Sequence, residues 1–585
     1  MEESESKRIK LESSPRGISE LDVGITCYVC SEVPGFKGSL KQRYTDFLVN
    51  EIEKDGNVVH LIDLGVEDKK DRRREKREKE REVKPPPELG DFRSKLEELV
   101  GAEVVDKCLE LFHTGTKYET EQAFEDKALR TQIHQLFGEA FQGRLDTSTT
   151  ADKRLIVRLQ TRSTRSRVPK SEAGNVLEFL RFTVYKENKE TMEVTGLIAR
   201  FLRIQPKAIT FAGTKDRRGV TCQKFSIRRM NVARVSSLNS TLRGVKLGSF
   251  QYMSEPIRLG DLNGNQFVIS VRNIDNVENV DAALKNLRDN GFINYFGLQR
   301  FGTFSVSTHT VGKSILKGDY DAAVTSILQP QELTLPESRE AREIYANTKD
   351  AAKALELMPR KCMAEYQILT ALKESPSSIN ALLRVPHNLR LMYVHSYQSY
   401  VWNCAASERV RRGLEVVPGD LVLDEAESTF TRARPVTAQE IEQKSKTIFD
   451  IVLPTPGFDV TYPENLVNFY ETIMNEDGID CHNMRRNTTE FSLSGSYRLL
   501  MSRPSDLTWW HKTYTETDEQ LVRTDLELLE LGKPITPENR LAETVAGERN
   551  AVILQMTLGT SEYATMALRE AMKTDTSRHG QMFFS

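Results

Sequence analysis

The sequence predicts an α/β (α+β) fold, with strands and helices interleaved along the chain, and three observations carry that expectation. Val220 to Ile227 alternates apolar and polar residues, as a half-buried strand does. Just before it, Ala208-Ile209-Thr210-Phe211 is β-branched and aromatic, the composition of a second strand. Between residues 193 and 206, "EVTGLIARFLRIQP" instead repeats its apolar positions at helical spacing. At 585 residues the chain has room for several domains, at about 100 to 200 residues each.

Composition narrows the class. Hydrophobic residues at 38% and charged residues at 28% fit a soluble globular protein with a very polar surface. No apolar run approaches the roughly 18 residues that a membrane span needs, and "MEESESKRIKLESSPRG" is too charged for a signal peptide. Neither secretion nor a membrane partner is expected. Seven cysteines, an odd number, point to reduced thiols in an intracellular compartment. Cys27 and Cys30 form a C-x-x-C without a second pair at zinc-site spacing, and Cys481-His482 stands alone, so no metal is expected. The net charge of -2 hides a polarity: residues 151–230 hold 19 Lys/Arg against 7 Asp/Glu. Arg162, Arg165 and Arg167 precede a second basic cluster at Lys215 to Arg218, which makes nucleic acid the natural polyanionic partner.

In chain order, residues 1–20 read as a disordered polar tail, with Lys7-Arg8-Ile9-Lys10 as a weak nuclear address, and order is expected near Ile25. Phe47 to Ile52 and Val58 to Leu64 alternate around Lys54-Asp55-Gly56-Asn57, the pattern of a β-hairpin. Phe47 and Glu51 fall on one face of its first strand, an odd mixture for a simple core. Residues 67–84, "EDKKDRRREKREKEREVK", interleave both charge signs at helical spacing and read as a solvated helix or linker. Residues 91–143 read as short amphipathic helices, clearest in "ALRTQIHQLFGEAF", where His134 is more often a satisfied helix residue than a functional one. A turn then feeds a strand in "IRLGDLNGNQFVISVRNI", a helix follows at Asn279 to Arg288, and residues 320–500 alternate helical and β-like stretches. At the C-terminal end, "NAVILQMTLGTSEYATMALREAMK" reads as strand, turn and helix.

One loop invites chemistry. Asp216 stands between the two strands of the opening observation, beside Lys215, Arg217 and Arg218 and punctuated by Gly213 and Gly219. A turn aspartate with solvated neighbours is the plain alternative. Gly213-Thr214-Lys215 lacks the spacing of a phosphate-binding P-loop.

"FAGTKDRRGVTCQKFSIRR", "LGDLNGNQF" and "NYFGLQRFG" together resemble the signature elements of the TruD family of pseudouridine synthases. "VYKENKETMEV", "QSYVWN", "PGDLVL", "LPTPGFDVTYPEN", "GSYRLL" and "EYATMALREAMK" extend the resemblance, in order, from about residue 36 to 572. Residues 67–150 look like an insertion of its eukaryotic branch. The resemblance implies a catalytic domain of mixed, largely antiparallel sheet flanked by helices, interrupted by an inserted α/β TRUD domain. It would divide the chain into a tail at 1–20, catalytic parts at 21–66, 151–319 and 501–585, the charged and helical insertion at 67–150, and the TRUD domain at 320–500.

It also implies an activity: isomerisation of uridine to pseudouridine in tRNA, and in snRNA and mRNA, with base flipping, one catalytic aspartate and no cofactor. Asp216 matches that aspartate. Its carboxylate would attack the sugar or the base, or take the C2′ proton. Lys41 matches a lysine beside the carboxylate, with Glu51 holding it, while Asn265, Phe267 and Phe47 would meet the nucleotide. Lys215, Arg217, Arg218, Arg300 and His134 are expected to contact RNA. A monomer working in nucleus and cytoplasm completes the expectation. The competing class is a catalytically silent RNA-binding or RNA-folding protein on the same scaffold, against which the retained Asp216 speaks.

Overall fold

The computed structural model describes residues 17–65, 89–114, 117–150, 152–159, 178–302, 306–331, 334–424 and 432–577. These form two compact units, one of residues 65–178 with 252–254, the other of the remaining chain.

The larger unit is built on a nine-stranded sheet. Its strands are β1 (Lys37–Leu40), β2 (Phe47–Ile52), β3 (Phe179–Glu187), β4 (Ile209–Phe211), β5 (Val220–Arg228), β6 (Val245–Met253), β7 (Gly264–Asp275), β8 (Ser505–Tyr514) and β9 (Arg549–Gly559). They run in the order β8-β9-β7-β2-β5-β3-β6, with β1 added to β7 and β4 to β5. β2 is parallel to β5, and the other described ladders are antiparallel, so the sheet is mixed and largely antiparallel as expected.

That central place of β2 corrects the hairpin expectation. The turn forms, with Val59 N donating to Glu51 O at 2.7 Å, but the return limb pairs only through the Ile52–Val58 bridge. Both edges of β2 are already taken by β7 and β5. The limb is drawn instead to Asp525, whose Oδ2 accepts Leu61 N at 3.0 Å.

Alternation along β2 and β7 sorts the two faces of the sheet. Of the helices α1 to α4 (Thr191–Leu202, Val280–Asn290, His387–Arg411, Ala564–Met572), the last three share one core with Phe47, Val49, Phe267 and Ile269, to which they supply Leu284, Trp402 and Leu568. Leu48 and Val268 point the other way, against Tyr185, Val220 and Ile553. Residues 320–500 carry their own four-stranded antiparallel sheet and α3, yet Trp402 and Leu453 share the core of Phe47 and Ile269, so no break in packing marks 320 or 500.

Order begins earlier than Ile25. Ile18 and Val23 are buried, and the buried carboxylate of Glu20 pairs with Arg569 of α4 at 2.7 Å. The smaller unit has its own core, with Leu96, Val105, Ile133, Phe137 and Val157 packed between three helices (Asp91–Val100, Ala102–Thr114, Lys127–Ala140) and a three-stranded sheet. Leu145–Thr149 and Arg154–Leu159 of that sheet are antiparallel partners, so the expected boundary at residue 150 falls inside a hairpin, and the unit extends to residue 178. A strand there needs its neighbour, which a boundary drawn from the end of helical patterning ignores. Residues 67–84 lie outside the described residues, as do Arg162, Arg165 and Arg167.

Candidate active site

β4 and β5 are antiparallel, with Phe211 opposite Phe225 and their rings stacked at 5.2 Å, so residues 212–219 return as a short loop beside β2. Gly219 permits the close approach: a Cβ there would lie 2.6 Å from Phe47 O. Three buried polar side chains then fasten the loop from within. Lys186 Nζ donates to the carbonyls of Asp216 (2.9 Å), Lys189 (2.8 Å) and Lys215 (3.3 Å). Thr191 Oγ1 accepts Lys215 N at 3.0 Å and donates to Gln223 Oε1 at 3.0 Å, while Gln223 Nε2 donates to Gly213 O at 2.8 Å. Burial, partly offset by Asp216, pushes the Lys186 ammonium down to about 8. Sequence reasoning passed over all three residues. The signal for two of them was a lysine directly after Phe182-Thr183-Val184-Tyr185, within one strand, and a threonine at the start of the next helix.

The Asp216 side chain keeps 38% of its surface exposed, whereas Lys41, bonded to its Oδ2 at 2.9 Å, keeps 8%. Oδ1 carries no hydrogen bond among the described residues. Lys41 sits at φ 55°, a left-handed conformation that costs a non-glycine residue about 1 to 2 kcal/mol. The turn that follows holds it there: Asp46 accepts Arg43 N at 2.7 Å and is gripped by both Nε and Nη2 of buried Arg272 on β7. Lys41 Nζ also lies 3.8 Å from the centroid of the Phe47 ring, and Phe47 meets Phe267 edge to face at 5.9 Å. Asp216, Lys41, Phe47 and Phe267 thus form one continuous chain of contacts.

Several expectations change. Glu51 does not hold Lys41: its Oε2 pairs with Lys215 Nζ at 2.7 Å and its Oε1 accepts Lys224 N at 3.0 Å. Lys215 is therefore removed from the RNA contacts, since both members of that pair are at most 3% exposed. Phe47 is buried with Lys41 over its ring, leaving no free face for a base. Phe267 retains 7% exposure. Asn265 lies directly opposite Glu51 on β2, on the same face as Phe267, and its Oδ1 is buried without a partner. No hydrogen bond joins it to Asp216 among the described residues. Arg217 and Arg218 are exposed beside Asp216 and pair with no carboxylate among the described residues, as a phosphate contact requires. Arg300 lines a cavity between α3 and the turn after β9. His134 belongs to the smaller unit, where its ring nitrogens are hydrogen-bonded to Thr147 Oγ1 (2.7 Å) and Thr149 Oγ1 (3.1 Å), as in a satisfied helix residue. No cluster of three or more His, Cys, Asp or Glu side chains suited to a metal occurs among the described residues.

Comparison with known proteins gives concordant results. A family model described as "tRNA pseudouridine synthase D (TruD)" matches residues 158–571. A pseudouridylate synthase 7 homolog of Bos taurus is 37% identical over 97% of this chain and 83% of its own. The multisubstrate pseudouridine synthase 7 of Schizosaccharomyces pombe is 34% identical over 96% of this chain and 92% of its own. Among solved structures, the putative tRNA pseudouridine synthase D of Methanosarcina mazei superposes with a TM-score of 0.56 over 94% of this chain and 97% of that chain. At 21% identity that likeness is one of fold.

Proposed function

The chain belongs to the TruD family of pseudouridine synthases, and from that premise we propose that Asp216 is the carboxylate that acts on the target uridine. The protein is an RNA pseudouridine synthase, an isomerase whose reaction breaks the C1′–N1 bond, turns the base, and joins C1′ to C5, with the C5 proton moving to solvent and N1 gaining one. Atoms balance without a redox partner. The observation that carries the assignment is the Lys41–Asp216 pair: one carboxylate oxygen is held, the other is bare, and the side chain is the most open member of an otherwise buried cluster.

A uridine within folded RNA must leave its stack to reach a carboxylate fixed in a loop, at a cost of a few kcal/mol. Arg217 and Arg218 flank Asp216 where backbone phosphates of the flipped strand would pass. Phe267 supplies an apolar edge for the base, and Asn265 an acceptor in search of a donor. Substrates on this reading are uridines of tRNA together with snRNA and mRNA, a breadth supported by the name of the multisubstrate relative. The protein works as a monomer, and the basic Lys7-Arg8-Ile9-Lys10 motif supports activity in the nucleus as well as the cytoplasm.

The test is incubation with unmodified transcripts followed by chemical mapping of pseudouridine. Wild type should convert specific uridines. Asp216→Ala should convert none while binding RNA within several-fold of wild type, because phosphate contacts dominate affinity. Turnover by Asp216→Ala would end the assignment.

A further inference from the structure

Seven arginines are buried among the described residues. Six have a carboxylate partner: Arg272 with Asp46, Arg342 with Glu365, Arg390 with Glu490, Arg409 with Asp420, Arg540 with Asp525 and Arg569 with Glu20. The seventh, Arg498, is 8% exposed and has none among the described residues. Its Nε and Nη2 donate to O (2.8 Å) and Oδ1 (2.7 Å) of Asn294, and its guanidinium stacks 4.2 Å from the Phe296 ring centroid. A buried charge costs several kcal/mol unless an opposite charge repays it. Burial accordingly lowers the Arg498 guanidinium to about 10.

The unpaired arginine also lines a cavity, of about 450 Å³. Arg300 lines the same cavity, with Nε on Ser399 Oγ at 3.3 Å and no carboxylate partner among the described residues. The acidic residue of the wall, Glu562, is turned to its own turn, accepting Gly559 N at 2.7 Å, and forms no ion pair with either arginine. His395, also in the wall, shares Nδ1 with Gln398 Oε1 at 2.7 Å, and burial lowers its pKa. The cavity therefore offers two cations that are not ion-paired among the described residues, while Glu562, the carboxylate of its wall, acts on Arg498 only through space and raises its guanidinium against the effect of burial. Its place is informative too: Thr560 to Glu562 follow directly on Gly559, which pairs with Gly264, the neighbour of Asn265.

We propose that this cavity seats a backbone phosphate of the substrate RNA close to the target uridine, held by the guanidinium groups of Arg498 and Arg300. This rests on the pseudouridine synthase reading and adds to it Arg498, which no motif of the sequence marked as a contact. A phosphate fits better than a base, because the ring of Phe296 is already covered by Arg498 and the unused groups are donors.

Binding of a fluorescein-labelled single-stranded RNA containing the target uridine, measured by anisotropy over a series of KCl concentrations, tests the proposal. Arg498→Met and Arg300→Gln should each weaken binding about tenfold at low salt and take about 1 from the slope of log affinity against log salt. Wild-type slopes in both variants would overturn it. Should Arg498→Met fail to fold, Arg300→Gln decides together with RNA carrying one neutral methylphosphonate near the target. At one position that RNA should bind wild type more weakly, and Arg300→Gln should not distinguish it from normal RNA; persistence of the difference in the variant overturns the proposal. Inorganic phosphate that raises the thermal midpoint of wild type, with every RNA slope unchanged, would make the cavity a site for free phosphate and also overturn it. Pseudouridine formation by wild type is read separately, so failure of the enzyme assignment is distinguishable from failure of this site.

Discussion

Lys186 is a single residue with opposed effects on stability and on catalysis. Its folded value of about 8 lies below the usual lysine value of about 10.4, so between those limits the unfolded chain holds a proton that the folded chain has released. Stability from this group therefore rises as pH rises through that window. The loop responds in the opposite sense, because a neutral amine has two hydrogens for three carbonyls. We expect the single-turnover rate to fall as pH rises past about 8 without a matching fall in thermal midpoint, and Lys186→Met to be slow at every pH with that alkaline limb gone. An unchanged limb in Lys186→Met would assign it elsewhere. Asn265 makes a second residue-scale case. Its orphaned Oδ1 costs about 1 to 3 kcal/mol while nothing donates to it. Asn265→Ala should then melt no lower than wild type and react at least tenfold more slowly, whereas a structural asparagine would give a lower midpoint and a normal rate. Phe267→Ala carries a packing cost of about 3 to 5 kcal/mol as well, so Phe267→Leu is the fairer probe of its role beside the base.

Strand β2 shows what an element adds to its residues. Its sequence was legible as a strand, and the shared face of Phe47 and Glu51 was legible as unusual, because alternation is a local property. Its partners were not legible: nothing within Phe47 to Ile52 says that a parallel neighbour arrives some 170 residues later, in β5, so the limb after Gly56 was assigned the pairing that local pattern favours. The Glu51–Lys215 pair follows from that neighbour, and so does the loss of Lys215 as an RNA contact. Removing one partner of a buried pair costs about 3 to 5 kcal/mol, whereas replacing both with apolar groups is often neutral. In urea, Glu51→Gln should be destabilised by about that amount, and Glu51→Leu with Lys215→Met should recover most of it. Recovery of stability without recovery of rate is the expected result, since the loop carrying Asp216 would still have lost its tether to β2. Equal loss in the single and double variants would place the pair outside the stability of the loop.

For the whole molecule, the resemblance located the sheet class and singled out Asp216, the carboxylate proposed to act on the uridine, where composition alone is silent. It did not locate packing boundaries. Residues 320–500 share a core with the sheet through Trp402 and Leu453, while residues 65–178 have a core of their own. Scanning calorimetry on the intact protein should therefore resolve a smaller transition, worth about 0.7 kcal/mol per ordered residue, from a larger one that carries the sheet and residues 320–500 together. A third transition, assignable to 320–500 by limited proteolysis, would contradict the shared core.

The order of strands across the sheet also sets a timetable. β7, which carries Asn265 and Phe267, lies between β2 near the start of the chain and β9 at residues 549–559. While the chain is being synthesised, β2 and the Asp216 loop leave the ribosome long before β9 exists, and until then one edge of β7 has no partner. The proposed site is thus completed only after β9 has emerged. An RNA-modifying enzyme born among messenger and transfer RNAs would be kept from acting on the machinery that is making it.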